Sequence, residues 1–127
     1  MYPVDEGDKH YTRDELVVPL DEVKANFAKY DLLDDQVVFV KGFFRDTLPS
    51  LEAGPFALIR LDGDMYESTM QALEVLYPRL SPRGFIVIDD YALKGCRQAV
   101  DDYRATHGIV MPIVKIDHTG VWWQKKD

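Results

Sequence analysis

Ala57-Leu58-Ile59-Arg60-Leu61-Asp62-Gly63-Asp64 and Phe85-Ile86-Val87-Ile88-Asp89-Asp90 are two mainly apolar runs that end abruptly in carboxylates. A buried parallel strand reads this way when its C-terminal end opens on a site. Ligands of open α/β sheets bind outside those carboxyl ends. Two neighbouring strands delivering Asp62, Asp89 and Asp90 to one crevice would make an oxygen-rich pocket for a hard divalent cation. Without a cation, carboxylates that close repel one another and their pKa values rise. Any one of them also reads as an ordinary strand-end or helix-capping aspartate; the paired arrangement is what points to a metal.

Working outward, Phe56–Leu61 and Phe85–Ile88 are the two strands, and Ser81-Pro82-Arg83-Gly84 reads as a turn before the second. A helix over 67–80 places Met70, Leu73, Leu76, Tyr77 and Leu80 on one side. A helix over 95–107 turns Cys96, Ala99, Val100 and Tyr103 inward. Strands over 113–116 and 121–124 flank Asp117-His118-Thr119-Gly120, a short polar turn that implies an antiparallel hairpin. Towards the amino terminus, 1–12 reads as loop, Thr12-Arg13-Asp14-Glu15 as a capping box, 20–31 as a helix with Val23, Phe27 and Tyr30 on its apolar face, and Gln36–Val40 as a strand. The fold class is α/β, one domain over 1–127 with its core in 13–127.

The bulk properties exclude several classes. A net charge of −7 argues against a nucleic-acid or anionic-membrane surface. No apolar stretch approaches the roughly 20 residues that span a bilayer, and the first residues lack the pattern of a signal peptide. The single cysteine, Cys96, excludes an intrachain disulfide, so a cytoplasmic location is expected.

The string Arg60-Leu-Asp-Gly-Asp-Met-Tyr-Glu-Ser-Thr69, followed by Leu76-Tyr-Pro78, Gly84-Phe-Ile-Val-Ile-Asp-Asp-Tyr91 and Gly120-Val-Trp-Trp123, resembles the macrocin O-methyltransferase family. Tyr30-Asp-Leu-Leu-Asp-Asp-Gln-Val37 and Arg45-Asp-Thr-Leu-Pro49 extend the resemblance through nearly the whole chain. It implies an S-adenosylmethionine-dependent, Mg²⁺-assisted enzyme that methylates a hydroxyl of a small sugar-bearing natural product. The metal ligands implied are Asp62, Asp89 and Asp90, with Asp62 also assigned as catalytic. Phe43, Phe44 and Arg45 are implied near the adenine, where aromatic rings can stack on a purine; buried phenylalanines at a strand end are the competing reading. A catechol-type lysine three residues after the first metal aspartate is replaced by Met65, leaving Asp62, Asp64 or His10 to take the proton, with His10 also readable as a solvent-exposed bystander. Tyr91 and Lys94 follow the metal pair and could touch a substrate, with Lys94 also readable as an ordinary surface lysine.

The resemblance implies a Rossmann-like sheet of order 3-2-1-4-5-7-6 that is incomplete here. Equivalents of strands 3 to 7 are expected, without the first two strands or the glycine-rich turn between the first strand and its helix; no Gly-x-Gly occurs among these residues. Two exposed strand edges would then invite pairing: either Gln36–Val40 closes directly on Phe56–Leu61 or a second copy supplies the missing edge, and a homo-oligomer is expected. Three rival readings stay open: a metal-dependent glycosyltransferase built on Asp62-Gly63-Asp64, an Asp-x-Asp phosphatase, and a non-catalytic remnant or interaction domain.

Overall fold

The computed structural model describes residues 2–6 and 18–127. The Thr12–Glu15 capping box and His10 lie outside the described residues. Helices α1 (Leu20–Lys29) and α2 (Phe44–Thr47) precede β1 (Phe56–Leu61), α3 (Tyr66–Leu76), β2 (Leu80–Ile88), α4 (Lys94–Thr106), β3 (Val114–Lys115) and β4 (Val121–Gln124). The sheet order is β1-β2-β4-β3. β1 and β2 run parallel, while β4 lies antiparallel to β2 and to β3, so the closing hairpin forms as expected. Its turn is held by Asp117, whose Oδ1 accepts from the N–H groups of Thr119 at 2.9 Å and Gly120 at 2.7 Å. Those two donors hold the Asp117 carboxyl below its ordinary pKa.

Alternation along the strands turns Ile59, Leu61, Ile86, Ile88, Val121 and Trp123 towards α3 and α4, where they are buried with Leu73, Val100 and Tyr103. Cys96 is buried at the start of α4 as expected, its thiol pushed up to about 12, chiefly by burial. The opposite sheet face carries Leu58, 59% exposed, and Phe85, 42% exposed, the latter edge-on to Trp122 at 5.7 Å. No residue of α1 is buried. Among the described residues no helix is long and apolar enough to cross a membrane.

Three expectations need correction. Gln36–Val40 forms no strand. A ladder needs a partner, and among the described residues none pairs with this segment or with the outer edge of β1; Val38 is 79% exposed. Ser81–Gly84 is not a turn before β2 but a bulge within it. Phe56 pairs with Leu80 and Leu58 already with Phe85, so β2 spends extra residues there, with Arg83 at φ 64°. Gly84 allows this because a Cβ would lie 2.9 Å from the Ser81 carbonyl oxygen and 3.0 Å from that of Ala57. The predicted helix over 67–80 ends at Leu76, passes through a 3₁₀ turn at Tyr77–Arg79, and yields Leu80 to β2. Pro78 fits this, since the first turn of a helix tolerates its missing N–H.

Within the stretch expected to be loop, Pro3–Asp5 forms a 3₁₀ turn that docks on the start of α3. Asp5 is fully buried and accepts from the backbone N–H groups of Tyr66 at 2.7 Å and Glu67 at 3.2 Å. A carboxylate there satisfies two orphan donors and faces the positive end of the helix dipole. Gly95 makes room for it, since a Cβ would stand 2.6 Å from Asp5 Oδ1. Asp5→Ala is expected to lower stability by about 1–2 kcal/mol, as loss of a helix cap does, read from the denaturant midpoint; an unchanged midpoint would show that the contact is dispensable.

Candidate metal centre and adjoining cleft

The parallel pairing of β1 and β2 continues to the carboxylates: Leu61 pairs with Ile88, and the Asp89 N–H donates to the Leu61 carbonyl at 2.9 Å. Asp62 and Asp89 are thereby brought side by side at the ends of adjacent strands, with Asp90 next along. One carboxylate oxygen each from Asp62, Asp89 and Asp90 lies within 4.8 Å of the others. The chain leaves β1 through a tight turn in which the Met65 N–H donates to the Gly63 carbonyl at 2.7 Å. Asp64 sits in that turn at φ 63°, a left-handed conformation that aspartate tolerates better than most residues.

Burial, followed by the neighbouring Asp64 and Asp62 carboxylates, pushes the Asp90 carboxyl up to about 8. Asp90 Oδ2 is also buried and finds no hydrogen-bond partner among the described residues. A buried oxygen without a donor is costly unless something supplies positive charge. Arg60 supplies some of it from the side: its Nη2 donates to Asp89 Oδ1 at 2.6 Å, and its Nη1 to Asp62 Oδ2 at 3.4 Å. The arrangement fits a hard divalent cation bound by carboxylate oxygens, as Mg²⁺ and Mn²⁺ prefer.

Asp62 also borders a cleft of ≈ 940 Å³. Phe43, Phe44 and Arg45 line it from the start of α2, with Gly63, Met65 and Ser68 opposite. In this chain Phe43 is 70% and Phe44 37% exposed. The Arg45 guanidinium lies 5.1 Å over the Phe43 ring. Of the three carboxylates expected at the metal, Asp62 alone lines this cavity, together with the three residues expected near the methyl donor. Tyr91 and Lys94 are not drawn in: Tyr91 Oη donates to Asp101 Oδ1 of α4 at 2.7 Å, and Lys94 is exposed at the start of that helix.

Two polar residues here had no role in the sequence reading. Arg60 stands two positions before Asp62 on a strand, so strand alternation puts them on one side. Asp5 carried no such signal, being 61 residues from Tyr66.

An α/β half-sheet ending in three clustered carboxylates beside an aromatic cleft is the setting for the comparisons with known proteins. The chain matches the Macrocin-O-methyltransferase (TylF) family over residues 1–125 and belongs to that family. It is 62% identical over 109 residues to the 8-demethyl-8-(2,3-dimethoxy-alpha-L-rhamnosyl)-tetracenomycin-C 4'-O-methyltransferase of Streptomyces olivaceus, covering 86% of this chain and 42% of that protein. It is 50% identical over 111 residues to the mycinamicin III 3''-O-methyltransferase of Micromonospora griseorubida, covering 87% of this chain and 44% of that one. The structure of the O-methyltransferase NovP superposes with a TM-score of 0.95 at 43% identity, over 100% of this chain and 53% of that one. The chain therefore spans about half the length of the relatives it matches, and it corresponds to their C-terminal half. Family membership sets aside the glycosyltransferase and phosphatase readings of Asp62-Gly63-Asp64.

Proposed function

We propose that this chain carries the metal-binding part of an S-adenosylmethionine-dependent, Mg²⁺-assisted O-methyltransferase acting in the cytoplasm on a hydroxyl of a sugar or related natural product. The observation that carries this reading is the meeting of Asp62, at the edge of the three-carboxylate cluster, with Phe43, Phe44 and Arg45 on one cleft. Similarity to O-methyltransferases of sugar-bearing compounds supports the reaction class. The order β1-β2-β4-β3 supports the Rossmann-like assignment, matching the 4-5-7-6 end of the expected sheet.

In this reading Asp62, Asp89 and Asp90 hold the cation. Its chemistry, when bound, is to lower the pKa of the acceptor hydroxyl and orient it. Methyl transfer needs an oxygen in line behind the sulfonium carbon, so alignment of the two reactants supplies much of the rate. The Phe43 and Phe44 rings offer apolar faces for the adenine at the mouth of the cleft. Asp62 is catalytic through the cation and is paired with Arg60. Asp64, beside Asp90 and without an ion-pair partner among the described residues, is the carboxylate that takes the hydroxyl proton.

Further contacts to the methyl donor are assigned to structure beyond this half-sheet, and a homo-oligomer in which a second copy covers the open β1 edge is inferred. Light scattering checks that point: a monomer at high concentration contradicts it. The functional reading is tested with radiolabelled S-adenosylmethionine and a rhamnosylated aglycone. Label transferred in Mg²⁺ and lost in chelator supports it. No transfer by a chain that still binds Mg²⁺ favours a non-catalytic remnant.

A further inference from the structure

Arg60 ties together two carboxylates that come from different strands. Its planar guanidinium engages Asp89 Oδ1 through Nη2 at 2.6 Å and Asp62 Oδ2 through Nη1 at 3.4 Å. Among the described residues no other lysine or arginine pairs with Asp62 or Asp89. The contact crosses from β1 to the end of β2, so it fixes one strand end relative to the other. As a fold-stabilising ion pair it is worth little, because the partners' side chains are 55%, 51% and 38% exposed and water screens them. Its geometry has another consequence. Arg60 takes one oxygen of each carboxylate and leaves Asp89 Oδ2 and Asp62 Oδ1 unengaged by it, beside the partnerless Asp90 Oδ2.

We propose that Arg60 is the positioning residue of the cation site, holding Asp62 and Asp89 at ligating separation by binding the oxygens that the ion does not use. Groups that orient metal ligands in this way commonly govern affinity by 10–100-fold or so. Without the guanidinium the clustered carboxylates swing apart, and the ion must reassemble them at its own expense. A lysine cannot replace it, since a single ammonium lacks the planar fork that reaches two carboxylates at once. This inference rests on the metal reading above and extends it to a residue that is not itself a ligand.

The test is calorimetric titration of Mg²⁺ into the purified chain and into its Arg60→Gln and Arg60→Lys variants at one pH and ionic strength. Arg60→Gln is expected to bind Mg²⁺ roughly 10–100-fold more weakly, with Arg60→Lys close to it. The denaturant midpoint measured in chelator is expected to stay nearly unchanged, consistent with an exposed pair. Equal or tighter binding by Arg60→Gln overturns the proposal, because Arg60 would then be a bystander or a competitor of the ion. Full affinity in Arg60→Lys also overturns it, since charge alone would suffice. If the unaltered chain binds no Mg²⁺, the metal reading itself fails, which is distinguishable from failure of the Arg60 step alone.

Discussion

Asp89→Asn together with Asp90→Asn is expected to abolish the rise in melting temperature that Mg²⁺ produces in the unaltered chain. A ligand bound only by the folded state at about 100 times its dissociation constant adds about 2.7 kcal/mol, a shift of several degrees for a domain of this size. The double variant removes two of three clustered carboxylates and so forfeits all of it. In chelator the sign reverses. Asp90 is partly buried against Asp62 and Asp64, with Oδ2 unpartnered, and a neutral amide both relieves that repulsion and brings N–H donors. The variant is therefore expected to melt at or above the temperature of the metal-free parent. Melting curves with and without Mg²⁺ check both halves, and an undiminished Mg²⁺ shift in the double variant would refute the ligand assignment.

Trp123→Ala is expected to have the largest effect on folding. Trp123 is fully buried on β4, and its Nε1 donates to Tyr77 Oη at 3.2 Å. The Arg104 guanidinium of α4 lies 4.6 Å over the same ring. One side chain thus joins the sheet, the turn after α3, and α4. Truncating a buried tryptophan costs about 3–5 kcal/mol, out of a total that for most domains is only about 5–15 kcal/mol. The variant should lose its cooperative melting transition or melt roughly 10 °C or more lower. Trp123→Phe keeps most of the volume but loses the N–H donor, and should fall between the two. A near-parental melt for Trp123→Ala would show that this ring does not organise the core.

How much was legible in the sequence depended on what each segment packs against. Phe56–Leu61 and Val121–Gln124 were bounded to the residue because their alternation is set by neighbours within the chain. Gln36–Val40 has the composition of a strand, yet β propensity mostly reports fit to a pleated neighbour, and none lies beside it among the described residues. Ser81–Gly84 looked like a turn because Pro82 and Gly84 are turn residues; bulges use the same chemistry, and only the pairing to β1 separates the two. The clustering of Asp62, Asp89 and Asp90 was legible, since strand ends bearing aspartates are local patterns. Arg60 and Asp5 were not, because their roles depend on partners 29 and 61 residues away.

The most direct test of the central claim is calorimetric titration of the purified chain with S-adenosylhomocysteine in the presence of Mg²⁺. If the cleft beside Asp62 receives the methyl donor, saturable binding is predicted, and it should be lost in Phe43→Ala/Phe44→Ala/Arg45→Ala while Mg²⁺ binding persists. Mg²⁺ bound with no S-adenosylhomocysteine uptake, or uptake unaffected by that triple variant, would contradict the account.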